Sequence, residues 1–275
     1  MVDEHPLAVA RKAFDLPADV TYLNCAFMGP LPKVAVEAGW SGLARKARPW
    51  TVAVDDFTVP VDQLRGALAG LVGAPGDLDG IAITPSVSYG VSTAAANLHL
   101  DLGQVVVVLA QQFPSDLYGW RRLADRHGGD VHAVERPVDG DWSAAVLADL
   151  DRLGDRVRVV SVPPCHWIDG GSVDLVAVSA ACRRVGAALC VDTCQSLGAL
   201  PFDVAAVQPD FVFGATYKWL CGPYSIGFLW AAPHRRAGEP IEQAWSGRAN
   251  SHCLACLADY TEDFQPGARR YDVGE

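Results

Sequence analysis

From about residue 80 to residue 232 the chain repeats one pattern. Short runs of β-branched and apolar residues alternate with longer stretches whose apolar positions recur at helical spacing. The runs GIAIT, QVVVVLA, DVHAV, VRVVSV, AALCVD, DFVFGA and SIGFLWAA predict strands. The stretches SYGVSTAAANLHL, LYGWRRLADRHGG, SAAVLADLDRLG and DLVAVSAACRRVG predict helices between them. Alternation of this kind predicts an α/β fold, a mostly parallel seven-stranded sheet sandwiched by helices. Such sheets bind ligands at the carboxyl ends of their strands. Any chemistry is therefore expected just after the strands, at Ser86–Ser88, Phe113–Asp116, Cys165–Asp169, Asp192–Gln195 and Ala215–Lys218.

Composition narrows the picture. The chain has 275 residues, half of them hydrophobic, enough for a large core. With 22 basic against 32 acidic residues the net charge is −10, which gives a nucleic-acid role no electrostatic support. The run VVVVLA is strand-length and far too short to span a bilayer. The N-terminal MVDEHPLAVARKAF opens on the acidic Asp3 and Glu4 and lacks the apolar stretch of a signal peptide. Eight cysteines sit in apolar contexts such as ALCVDTCQS, unlike a secreted disulfide framework. The expectation is a cytoplasmic protein with reduced thiols and no membrane or nucleic-acid partner. From Ala237 the sequence becomes loop-rich and ends at RRYDVGE without a closing helix. The expected division is a segment 1–30, a large domain 31–250, and 251–275 as the start of a small C-terminal domain.

Several strand-end residues carry chemical possibilities. Lys218 lies between Tyr217 and Trp219, where a free ammonium is costly. It reads either as a Schiff-base lysine or as a snorkelling strand cap. Asp192 ends a buried strand and needs a cationic partner, such as a protonated pyridine nitrogen, unless it caps a helix. Gln195, three residues on, is placed to donate to a phenolic oxygen on the same ring, or else is a first-turn helix residue. Val87 and Ser88 open a helix whose N–H groups suit a phosphate, although Ser86 or Ser88 also suits ordinary capping. Tyr217 offers a phenol to the same phosphate. Phe113 suits stacking on a ring, and Asp116 suits an N-cap or a cofactor contact. GVSTA approaches a serine nucleophile elbow, but Ser92 falls inside a helix and the final glycine is absent. HCLAC lacks the second ligand pair of a closed zinc site, so no metal is expected.

The stretch VDTCQSLGALPFDVAAVQPDFVFGATYKWLCGPYSIGFLW resembles the central motif of class V, fold-type I pyridoxal-phosphate enzymes. That group includes class V aminotransferases, cysteine desulfurases, isopenicillin N epimerase-like proteins and kynureninases. Its pattern is Asp-x-x-Gln or Asp-x-x-His after one strand, a lysine after the next, then Gly-Pro-x-x-x-Gly. The likeness extends through FPSDLYGW, TPSVSYGVS and YLNCAFMGPLP to nearly the whole chain. It implies a pyridoxal 5'-phosphate (PLP) enzyme acting on an α-amino acid through a Lys218 Schiff base, as an aminotransferase or as a kynureninase-like or desulfurase-like lyase. It implies that Asp192 pairs with the pyridine nitrogen and Gln195 contacts the ring hydroxyl. Phe113 would stack on the ring, while Val87, Ser88 and Tyr217 hold the phosphate. Asp116 and Trp245 are further cofactor candidates, and Asn24, His166, Trp167 and Asp169 are candidates for the substrate pocket. Gln195 departs from kynureninases, where His is usual, and Phe113 departs from desulfurases, which stack a His. Members are homodimers with a C-terminal small domain, so the resemblance also implies a dimer and a non-catalytic alternative for a shortened chain.

Overall fold

The computed structural model describes residues 10–274. Residues 1–9, with most of the N-terminal stretch, and residue 275 lie outside the described residues, and with them the outer ends of the 1–30 and 251–275 segments. Seven strands form one sheet: β1 (Ile81–Thr84), β2 (Val105–Leu109), β3 (Asp130–Val134), β4 (Val157–Val162), β5 (Ala188–Asp192), β6 (Phe211–Ala215) and β7 (Gly227–Ala231). Their spatial order is β1-β7-β6-β5-β4-β2-β3, and every neighbouring pair is parallel except those made by β7. The central strands β2, β5, β6 and β7 are buried at every position. That is why they read as continuous apolar runs rather than alternating ones.

Helices accompany the sheet: α1 (Lys33–Lys46), α2 (Asp55–Leu71), α3 (Val87–Ala96), α4 (Pro114–His127), α5 (Trp142–Leu153), α6 (Leu175–Val185) and the single turn α7 (Val204–Val207). One face of the sheet packs Val91 and Ala94 of α3 and Trp120 and Leu123 of α4 against Val106, Phe211 and Phe213. The other face packs Trp142 and Leu150 of α5 and Val178 of α6 against Val107 and Val160. Near the β1 edge, Leu68 of α2 and Val72 just after it complete that second layer over Val212 and Phe228. Start and stop signals are local. Asp141 and Asp174 accept from Ala144 and Ala177 at 2.9 Å to open α5 and α6. Gly128 and Gly186 close α4 and α6 in the left-handed conformation.

The structure departs from the sequence reading in two local places. The stretch SYGVSTAAANLHL is helical only to Ala96, because the Asn97 amide turns back to Thr93 O at 2.8 Å. The stretch after β5 is a turn, as the sequence reads, so Asp192 and Gln195 have no helix to cap or open. There Thr193 N–H bonds Phe213 O at 2.8 Å, and the chain turns at residues 194–197. Cys253 and Cys256 are joined as a disulfide, against the expectation of reduced thiols throughout, because a single 3-10 turn brings their Cα atoms to 5.2 Å. Among the described residues no helix is long and apolar enough to cross a membrane.

Candidate active site

The carboxyl ends of β1, β2, β4, β5 and β6 surround a cavity of about 280 Å³. β1 contributes Ser86, Val87 and Ser88. β2 contributes Gln112 and Phe113, and β4 contributes Cys165 and Trp167. β5 supplies Asp192, Cys194 and Gln195, and β6 supplies Tyr217 and Lys218. Tyr224 and Ser225 close the rim just before β7. The separate strand-end motifs thus converge on one hollow.

Lys218 is 7% exposed and Asp192 8%. The Lys218 Nζ sits 5.4 Å from the Phe113 ring centre and 5.7 Å from that of Tyr217, its neighbour in sequence. Burial pushes the Asp192 carboxyl up, opposed by the Cys194 N–H at 2.8 Å and by the Lys218 charge. Burial also pushes the Tyr217 phenol up to about 12, so it is a donor at neutral pH. The lysine loop is fixed from outside by the segment at 24–29. Gly29 N–H bonds Tyr217 O at 2.8 Å, and a Cβ on Gly29 would lie 2.0 Å from Lys218 O, so only glycine permits the approach.

Gln195 is held on both sides. Its Nε2 donates to Ala26 O at 3.1 Å and its Oε1 accepts from Trp219 Nε1 at 3.0 Å. Ser86 caps α3 by accepting from Tyr89 N–H at 3.2 Å, and its hydroxyl meets that of Ser88 at 2.9 Å. Phe113, 38% exposed, is the N-cap of α4 and meets Trp167 edge-on with ring centres 5.4 Å apart. Trp167 is anchored through Nε1 to Gln111 O at 2.7 Å. Among the described residues four that are not glycine have positive φ, and three of them (Gln111, Cys221 and Ser225) lie in loops around this cavity. Backbone strain of this kind concentrates where a site over-determines its loops.

Other candidates lie elsewhere. Asp116 is neither an N-cap nor on the cavity wall. It is fully buried behind it and accepts from Gln112, from Trp120 Nε1 at 3.2 Å and from Ser161 at 3.2 Å. His166 is buried and spans from Asp169 Oδ1 (3.1 Å) to Ala110 O (3.2 Å). Asp169 also takes the Trp142 Nε1 and the Arg136 guanidinium, so this pair shapes the turn instead of facing the cavity. Asn24 is exposed, and its carbonyl caps the turn at Phe27 and Met28. Trp245 lies on a separate hollow with Arg248 and Tyr260. Ser92 is on the exposed side of α3. Among the described residues no group of three or more His, Cys, Asp or Glu is placed to hold a metal. Gln112, Cys194, Tyr224 and Ser225 line the cavity without having been singled out from the sequence. The Gly-Pro-x-x-x-Gly stretch was the signal for the last two.

The residues suit a PLP-type ring. A buried carboxylate faces a buried amine, a helix N-terminus borders the same hollow, and Gln112 leaves its buried Oε1 without a partner among the described residues. The comparisons agree. A family profile described as Aminotransferase class-V matches residues 43–258, and the chain belongs to that family. Kynureninase of Deinococcus radiodurans is 33% identical, over 98% of this chain and 65% of its own length. Kynureninase of Burkholderia mallei is 32% identical, over 90% of this chain and 60% of its own length. The chain thus spans under two thirds of these curated relatives. Among solved structures, a cystine C-S lyase in complex with cysteine persulfide superposes with a TM-score of 0.81 at 23% identity, covering 94% of this chain and 68% of the lyase. A cysteine desulfurase from Thermococcus onnurineus gives 0.82 at 20%, covering 100% of this chain and 68% of its own. At such identities these show the fold, the seven-stranded PLP-dependent transferase sheet. The class V, kynureninase and desulfurase relatives are PLP-dependent, and one variant of the lyase carries glycine covalently linked to its PLP.

Proposed function

We propose that this chain binds PLP at the cavity and acts on an α-amino acid, with cleavage in the substrate side chain favoured over amino transfer. The observation that carries this is the buried pair Lys218 and Asp192 across one cavity at the strand ends. The kynureninase relatives support the lyase alternative. Within this reading Lys218 would hold the cofactor's carbonyl carbon, Asp192 its ring nitrogen, and Gln195 its hydroxyl. Val87, Ser88 and Tyr217 would hold its phosphate, and Phe113 would cover the ring. Bound there, the cofactor would supply an electron sink for a carbanion at the substrate Cα. The chain's own part is to orient the ring, exclude water with Phe113 and Trp167, and carry a proton to and from Cα on the Lys218 amine. Asp192 would keep the ring nitrogen protonated only while ionised, a form that the Cys194 N–H and the Lys218 charge favour against the cost of its burial. The reading extends to a cytoplasmic homodimer, with residues 251–275 opening a small C-terminal domain.

The test is an absorption titration with PLP, beside Lys218→Ala. A visible band of lysine-bound cofactor in the parent chain, absent in the variant, is the expected result. Amino acids are then screened for released side-chain fragments against keto-acid formation. Formation of a keto acid without fragments turns the assignment to transamination. No band in either protein turns it to a non-catalytic chain.

A further inference from the structure

The turn between β1 and α3, Pro85–Ser88, is held from behind by a residue far away in sequence. Asp272 Oδ1 accepts the Ile83 N–H at 2.8 Å, one residue before the end of β1. Val273 N–H then bonds Ile83 O at 2.9 Å, so the tail pairs along the open edge of β1. On the other flank the Tyr89 hydroxyl, in the first turn of α3, donates to Asp272 O at 3.5 Å. Burial, with Glu242 beside it, keeps that phenol protonated well past neutral pH. Asp272 is itself clamped by Arg65, which is 4% exposed. Arg65 Nη1 reaches Asp272 Oδ1 at 3.0 Å and Ile81 O at 2.6 Å, and Nη2 pairs with Oδ2. The carboxylate and carbonyl of one residue therefore grip both ends of the turn whose front lines the cavity.

A purely structural staple would be served by an apolar contact at less desolvation cost. A buried ion pair aimed at two backbone positions fixes hydrogen-bond directions, and an N–H cradle loses strength steeply with angle. We propose that Asp272, held by Arg65, is a positioning residue for the Pro85–Ser88 turn, aligning the Val87 and Ser88 N–H groups on the cofactor's phosphate ester. This rests on the reading in which that turn receives the phosphate.

The test compares binding of PLP with binding of pyridoxal, its unphosphorylated parent, by absorption titration. Both ligands engage Lys218, but only one engages the turn. Asp272→Ala is expected to lose about tenfold in PLP affinity and less than about twofold in pyridoxal affinity, the scale of misaligned hydrogen bonds to a charged group. Asp272→Asn keeps an acceptor for Ile83 N–H and is expected to recover most of the loss. Tyr89→Phe removes the helix-side contact, with the hydroxyl's hydrogen bond to Glu242, and is expected to lose about two- to threefold, for PLP alone. It carries the test if Asp272→Ala does not fold by circular dichroism. Equal losses for both ligands, or an unchanged ratio in Tyr89→Phe and Asp272→Ala, overturn the proposal and leave the cofactor reading standing. A parent chain that binds pyridoxal as tightly as PLP overturns the phosphate reading, and this proposal with it.

Discussion

Asp116 sits behind the cavity with three donors on its carboxyl, and burial together with the Asp192 charge pushes its pKa up to about 7. The folded chain therefore holds this proton to higher pH than the unfolded chain. Its contribution to stability is full below about pH 3.8 and is lost as pH rises towards 7. The loss is at most about 4 kcal/mol. Asp116→Asn is expected to remove this slope. Its denaturant stability, relative to the parent, should rise between pH 5 and pH 8. A parallel pH dependence in both proteins would show that Asp192 or another group carries it. At this scale Lys218 and Asp192 were legible because each ends a strand whose apolar run is visible. Gln112 and the real place of Asp116 were not. Their burial follows from the left-handed turn at Gln111, which Gln does not signal. His166 and Asp169 looked like wall residues because a ring and a carboxylate after a strand suggest chemistry, but here they satisfy backbone and indole groups.

Among the elements, α3 presses on β6 so closely that a Cβ at Gly90 would lie 2.8 Å from Phe213 Cδ1. Gly66 in α2 has nothing within 4 Å of the same position. Alanine in a helix interior gains up to about 1 kcal/mol over glycine, and overpacking a core costs about 1–3 kcal/mol. Gly66→Ala should therefore raise the denaturation midpoint, and Gly90→Ala should lower it. A gain at both sites would mean that Phe213 yields without cost. The strands were readable because their burial on both faces writes itself as unbroken apolar runs. Helices α1 and α2 were not drawn from the sequence, and α1 shows why: it buries no residue of its own. Its apolar positions have no partner within the chain to give them a period.

For the whole molecule, α1 leaves Val36 41%, Trp40 68% and Leu43 67% exposed along one side. A 14-residue helix has little stability alone, so an apolar face of this kind calls for a cover. In the dimer reading a second copy supplies it. Light scattering is expected to give twice the 29.3 kDa chain mass, and Trp40→Glu with Leu43→Glu to give the single mass. A parent chain of single mass at micromolar concentration would remove the dimer from the reading.

The reversed strand β7 has a consequence for the order in which the molecule is made. β1 leaves the ribosome early, yet its neighbour in the sheet is β7, with Ile81 opposite Trp230. Until residues 227–231 have emerged, β1 has no strand to join, and the turn after it has no fixed place beside Lys218. Strands β2 to β6 can pair as they appear, while the first one waits for the last. Closing so long a loop is slow compared with local pairing. The nascent chain therefore completes the cavity in one late event rather than strand by strand, and a chain interrupted before Gly227 carries the residues that line it without a hollow to put them in.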